Sequence, residues 1–405
     1  MRAPMSARPG AEFAKLWTAS AVSNVGDGVT VVAGPLLAAS LTRDPAQVAL
    51  VAFAQALPWP LFSLVSGAVV DRVDRRRLIC AVDLLRGAVL AGLALLVAAG
   101  AATVPLLCAV FFLVGLGETV ADTAAVARLP AIVPPERLAA ANARLMATFT
   151  VGNQLAAKPL GAWLFAAGAA FPFGFDAVTF VVAALLVASM RRVPAETRGR
   201  PPGDRRSLRA DIAEGVRWLW SHRLLRTLAL SMGVANIAFC SAFSVFVLYA
   251  ADRLGLSEVG YGLLLTTFGF GGLAGTVLAD RLQRRFGATA LLRAGLALEA
   301  ATHLVLASTR HAWVAAAILV AFGVHTMVWG VIATTVRQRA TPDRLLGRVG
   351  GVYALADSSG AALGLLTGGV LARAGGVTAP YWIAGALTAL VTAAAWRPLK
   401  EASRL

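Results

Sequence analysis

The chain has 405 residues, 58% of them hydrophobic and only 14% charged, yet it carries a formal net charge of +16. Soluble domains run at about 45–50% apolar and about 25% charged, so this balance excludes an ordinary soluble enzyme. The positive charge lies in the connections between apolar runs, which argues for a lipid bilayer as partner and against nucleic acid.

Apolar runs of about 20 residues, the length a helix needs to cross a bilayer core, recur along the whole chain and predict twelve spans. The first follows a basic start, MRAPMSARPGAEFAKLW, with no short apolar stretch and small-residue cleavage site. It therefore reads as a retained span and not a signal peptide. Six spans are expected at 14–40, 46–70, 78–100, 104–127, 142–167 and 171–190, and six more at 225–250, 259–279, 289–308, 312–336, 348–372 and 377–396. Between the two sets lies RRVPAETRGRPPGDRRSLRADIAEGVRWLWSHRLLR, residues 191–226. It opens as a Pro/Gly/Arg linker. From Ser207, an expected N-cap, Leu208, Ile212, Val216, Leu219 and Trp220 recur at helical spacing and predict an interfacial helix. The domains expected are thus 1–190, a linker with interfacial helix at 191–223, and 224–405.

Alternate connections differ in charge. One side carries Arg72, Arg75, Arg76, Arg77, Arg128, Arg137, Arg144, the run from Arg191 to Arg226, Arg281, Arg284, Arg285, Arg337, Arg339, Arg344 and Arg348. The other carries Arg43, Arg253, Arg310 and Arg373, at most one per loop. Positive charge stays on the cytoplasmic side of a membrane, so both termini are expected in the cytoplasm of a multi-pass cell-membrane protein. Cys80, Cys108 and Cys240 lie in apolar runs, with neither disulfide nor metal spacing.

The halves repeat. DRVDRR (71–76) closes the second span and DRLQRR (280–285) the eighth, 209 residues later. PERL (135–138) and PDRL (342–345) follow the fourth and tenth spans at an offset of 207. Two matches at nearly equal offset predict a six-plus-six duplication, with parallel halves related about the membrane normal.

GAVVDRVDRRRL (67–78) resembles the signature between the second and third spans of the major facilitator superfamily, with Asp74 where many members have glycine. GLGETVADTAAVARLPAIVPPERLAAANARL (115–145) and FPFGFDAVTF (171–180) resemble its macrolide- and siderophore-efflux-like exporter branch. The resemblance covers essentially all twelve spans. It implies an all-α integral membrane protein, twelve transmembrane helices in two six-helix pseudo-symmetric bundles, in which spans one, four, seven and ten line a central cavity. It also implies a monomer.

Ionisable side chains inside spans are costly and point to function. The candidates for proton coupling or substrate contact are Asp27 between Gly26 and Gly28 in span one, Glu118 and Asp122 in span four, Lys158 in span five, Asn236 in span seven, His325 in span ten and Asp357 in span eleven. A carboxylate in a low-dielectric cavity favours its neutral form, so it can load a proton from one side and lose it to the other. Asp27 is the first choice for that part and Glu118 the second. Lys158 precedes Pro159-Leu160-Gly161, which resembles the glycine-proline motif of antiporters, and replaces the usual small residue there. It could pair with Glu118 or Asp27, contact an anionic substrate, or pair with Asp176. His325 reads either as a satisfied buried histidine or as a proton relay. Asp83 with Arg86 reads as an intrahelical pair, and Glu299 with His303 as a pair peripheral to the cavity. At the ends of spans two and eight, Asp71, Arg72, Arg75 and Arg76, with their repeats Asp280 and Arg281, are expected either as a releasable gating cluster or as fixed surface pairs.

No catalytic constellation, cofactor or metal site is expected. The glycine-rich stretch around Gly269, Gly271 and Gly272 has neither the strand nor the Lys-Ser/Thr of a phosphate loop and reads as close helix packing. The function expected is proton-coupled export of small amphipathic organic molecules. The alternative is a proton symporter importing a small, possibly anionic, nutrient.

Overall fold

The computed structural model describes residues 10–70, 72–191 and 208–404. Helix α1 (Ala11–Leu41) passes Asp27 without a break and contains Pro35; α2 (Pro45–Ala56) and α3 (Pro58–Val70) follow. Asp74 then caps α4 (Arg75–Ala98), its side chain accepting from the amides of Arg76 and Arg77. A capping carboxylate satisfies the orphan donors of a helix start, which accounts for an aspartate where the superfamily signature has glycine. The half continues with α5 (Val104–Ile132), α6 (Leu138–Phe149), a π-helical turn at Thr150–Ala156, α7 (Ala157–Ala167) and α8 (Phe171–Ala188).

After α9 (Leu208–Ser221) come α10 (Arg223–Phe243), a short α11 (Phe246–Leu248), α12 (Glu258–Ser308), α13 (Ala312–Ala340), α14 (Leu346–Gly375) and α15 (Ala379–Ala395). Among the described residues, nine helices are long and apolar enough to cross a membrane. The expected spans that do not stand alone each have a local reason. The fifth is interrupted by the π turn just before Pro159, whose missing N–H cannot close the ordinary helical bond. The eighth and ninth run together as α12, broken only at Gly287, where φ is 76°. The twelfth forms a helix of 17 residues.

Contacts divide the chain into two compact units, Met1–Gly34 with Leu57–Thr197, and Pro35–Ala56 with Arg198–Leu405. The core of the first is built around Phe13, Leu16, Leu129 and Val187, from α1, α5 and α8. That of the second gathers Leu224, Leu228, Leu292, Ile332 and Val349. Residues 35–56 join the second unit because α2 lies on α14. A Cβ at Gly369 would stand 2.5 Å from the Ala49 Cβ and 2.9 Å from the backbone of Ala46. Asp44 also pairs with Arg373 at 3.6 Å, and Arg43 with Asp252 at 3.5 Å.

The expected interfacial helix is α9; its expected cap, Ser207, lies outside the described residues. Leu219 buries into the second core and Trp220 stays exposed. Glu214 pairs with Arg348 at 2.6 Å and Arg344 at 3.5 Å, fastening α9 to α14. The glycine-rich stretch of α12 serves packing: Gly271 lies against the carbonyl of Val320, and a Cβ at Gly275 would meet that of Val324 at 2.7 Å.

Candidate functional site

In the first unit buried carboxylates converge on Arg86, about halfway along α4. Its Nη2 donates to Asp27 Oδ1 at 2.7 Å, with the two side chains 5% and 20% exposed. The guanidinium lies 4.1 Å from the centre of the Phe180 ring on α8, a cation–π contact. Asp83, Glu118 and Asp176 lie within its electrostatic range, and Asp122 interacts with both Asp27 and Arg86. Asp83 with Arg86 is therefore not a closed intrahelical pair. Arg86 is the hub of a cluster drawn from four helices.

Small residues make this convergence possible. A Cβ on Gly117 would strike the Arg86 side chain at 2.7 Å, so the glycine beside Glu118 leaves room for the arginine stem. A Cβ at Gly26 would overlap Asp176 and Thr179, and one at Gly28 would meet the backbone carbonyl of Asn153 at 2.8 Å. The glycines flanking Asp27 thus serve close approach and not unwinding, since α1 stays helical through them. Asp176 is fully buried, accepting from Thr30 Oγ1 at 2.5 Å and Thr179 Oγ1 at 2.9 Å.

Lys158 is buried on α7 and donates to Gln154 Oε1 at 2.5 Å. It does not prevent tight packing. Gly161 brings α7 against α1, where a Cβ would meet the Val29 carbonyl at 2.7 Å.

The second unit holds a cavity of about 360 Å³ between α10, α12, α13 and α14. Asn236, His325 and Asp357 all line it, as expected. Asn236 donates to both the carbonyl and the carboxylate of Asp357, at 2.6 and 3.0 Å. Phe239, Trp329 and Tyr353 contribute aromatic surface to its wall. Tyr249 is buried elsewhere and donates to the carbonyl of Leu306.

Glu299 also lines the cavity, so its reading as peripheral needs correction. Its Oε2 is paired with His325 Nε2 at 3.2 Å, and its Oε1 lies 3.4 Å from His303 Nε2 without hydrogen-bond alignment. All three side chains are at least nine-tenths buried. The ring of His325 sits over Gly295, where a Cβ would come within 2.6 Å of it. Gly295, Glu299 and His303 follow one another at intervals of four on one face of α12, a pattern visible in the sequence.

The expected gating residues separate. Asp71 lies outside the described residues. Arg72 is exposed. Arg75 donates to the carbonyl of Ala127 at 2.9 Å, and Arg76 to those of Val187, at 3.1 Å, and Ala188. Arg76 thus reaches the last turn of α8, where a cation meets the negative end of the helix. Asp280 pairs with Arg284, four residues on, at 2.7 Å, and not with Arg281.

Residues 3–402 match the family described as transmembrane secretion effector. The chain belongs to this family, an exporter branch of the major facilitator superfamily. The multidrug efflux pump Tap of Mycolicibacterium fortuitum is 30% identical over 383 residues, covering 90% of each chain. The enterobactin exporter EntS of Escherichia coli is 27% identical over 88% of this chain and 85% of its own. Among solved structures, a bacterial homologue of the iron transporter ferroportin aligns with a TM-score of 0.75 at 19% identity, covering 97% of this chain and 98% of its own. The nucleoside transporter NupG aligns at 0.75 with 10% identity, covering 96% and 99%. These structures share the fold. The protein is a multi-pass membrane transporter of the major facilitator fold.

Proposed function

We propose that this transporter exports small amphipathic organic molecules from the cytoplasm in exchange for protons. In this reading it alternates between two states by relative movement of two six-helix halves, residues 1–190 and 224–405, joined by 191–223. It acts as a monomer in the cytoplasmic membrane with both termini inside. The efflux activities of the relatives, matched along nearly the whole chain, support export.

The observation that carries proton coupling is the buried cluster on Arg86. Asp27, Asp83, Glu118, Asp122 and Asp176 are five carboxylates around one guanidinium. In a low-dielectric interior one cation cannot balance five anions, so the cluster as a whole holds protons. Its members come from α1, α4, α5 and α8, so any shift of α1 against α4 changes which carboxylate Arg86 can reach. Asp27 takes the proton when Arg86 leaves it and surrenders the proton when Arg86 returns. Lys158 with Gln154 flanks this site, and Asn236, His325 and Asp357 bind substrate in the second unit. Within the first half Arg72, Arg75 and Arg76, with Asp71, act as one releasable gate, and within the second half Asp280 and Arg281 act as its repeat.

Reconstitution in proteoliposomes with an imposed pH difference, screened against a panel of drugs, tests the reading. Uphill movement of at least one compound, collapsing when a protonophore dissipates the gradient, is expected. Transport of every accepted compound with no response to the pH difference defeats proton coupling.

A further inference from the structure

The cavity of the second unit has a chemistry that the proton cluster does not use. Phe239, Phe268 and Phe322 form a three-ring cluster on its wall, with centroids 5.5–6.0 Å apart. Phe322 also lies 6.4 Å from the ring of His303 and 5.9 Å from that of His325. The aromatic patch is thus continuous with the Glu299 pair.

The charges on this wall do not balance. Glu299 and Asp357 face one guanidinium, Arg337, which is stacked 4.6 Å over Tyr353. Two buried polar atoms here also lack hydrogen-bond partners among the described residues, Glu299 Oε1 and the indole Nε1 of Trp329. A buried carboxylate beside aromatic faces is a favourable neighbour for a cation. Of the two carboxylates, Asp357 accepts from Asn236, while Glu299 has only histidines beside it, His325 at 3.2 Å and His303 at 3.4 Å, and lies against the aromatic patch through their rings.

We infer that this cavity is a binding site for a planar aromatic organic cation, with the ring cluster Phe239, Phe268 and Phe322 as its stacking wall and Glu299 as its counter-charge. The site deepens the efflux reading by naming a substrate class. A volume of about 360 Å³ lies within the range of small-molecule sites. The cation's ring stacks on the phenylalanines while its charge is met by Glu299, with the His325 side chain giving way from Oε2. A planar anion of the same size would meet the same rings but an unfavourable carboxylate, so the site discriminates by charge.

Equilibrium binding to the purified full-length protein in lipid nanodiscs tests this, read by fluorescence anisotropy. The probes are proflavine, a planar cation, and resorufin, a planar anion of similar size. Proflavine should bind the wild type at least about tenfold more tightly than resorufin, and Glu299→Gln should weaken proflavine by about tenfold or more. Phe268→Ala should weaken both dyes, and Asp357→Asn should weaken proflavine less than Glu299→Gln does. No proflavine binding, a preference for resorufin, or full affinity in a monodisperse Glu299→Gln variant overturns the site. A larger loss in Asp357→Asn than in Glu299→Gln overturns the assignment of the counter-charge. If Glu299→Gln fails to fold, the comparison of the two dyes on the wild type still decides. Binding at equilibrium depends on neither transport direction nor protons. Proflavine binding without proton-driven transport would therefore fault the functional reading alone, and proton-driven transport of other solutes without proflavine binding would fault this site alone.

Discussion

Arg86 on α4 bonds Asp27 on α1 at 2.7 Å, although Asp83 lies only three residues away on its own helix. The bond ties two helices together and removes both charges from lipid. Asp27→Asn leaves Arg86 among four other carboxylates, whereas Arg86→Gln takes the one guanidinium from all five. Arg86→Gln should therefore destabilise the protein by ~3–5 kcal/mol and Asp27→Asn by less. The double substitution, which still strips the remaining carboxylates of their cation, should be about as unstable as Arg86→Gln alone. Denaturant unfolding in mild detergent measures all three variants, and a double variant restored to wild-type stability contradicts the shared cluster.

The glycines around Asp27 supply a second test. Gly28→Ala places its methyl against the Asn153 backbone, which cannot yield cheaply, while Gly26→Ala meets the side chains of Asp176 and Thr179. Overpacking of this kind costs about 1–3 kcal/mol, and Gly28→Ala should be the more damaging because it strikes backbone. Thermal unfolding of the purified variants would show the order.

Gly295→Ala should act through His325, whose ring occupies the space the new methyl needs. Displacing the ring breaks its 3.2 Å bond to Glu299. Proflavine affinity should then change in the same direction in Gly295→Ala as in His325→Ala, with less effect when both are combined than their sum. Fully additive effects would place the two residues in separate roles.

The clamp on α9 is a smaller matter. Glu214 is about one-third exposed and meets Arg348 and Arg344 near the surface, where an ion pair contributes at most ~1 kcal/mol. Glu214→Gln should speed hydrogen exchange in residues 208–221 by up to about fivefold and leave the rest of the chain unchanged. Unaltered exchange there would mean that packing of Leu219 alone holds the helix.

Much of the fold was legible because lipid leaves a chain little choice. Backbone groups in hydrocarbon must be satisfied within each helix, so apolar runs announce helices almost directly. The ends were less visible. Gly287 bends one helix where two spans were expected, and the π turn before Pro159 interrupts another. Site residues such as Asp27, Asn236, His325 and Asp357 stood out as polar groups in oily surroundings, but their partners did not. Arg86 has Asp83 close by in sequence, which favoured a local pairing. Only the packing of α1 on its neighbours, permitted by Gly26 and Gly28, brings Asp27 within reach. Glu299 and His303 also showed their four-residue spacing; what placed them at a cavity was His325, seated over Gly295 from another helix.

In the proposed cycle Asp27 exchanges protons as Arg86 leaves and returns. The direct measurement is transport of the best-accepted compound of a drug panel by Asp27→Asn in proteoliposomes, compared with the wild type at equal protein content. Accumulation driven by the pH difference should vanish in the variant, while exchange of labelled for unlabelled compound at equilibrium persists. Uphill accumulation at the wild-type rate would contradict the claim.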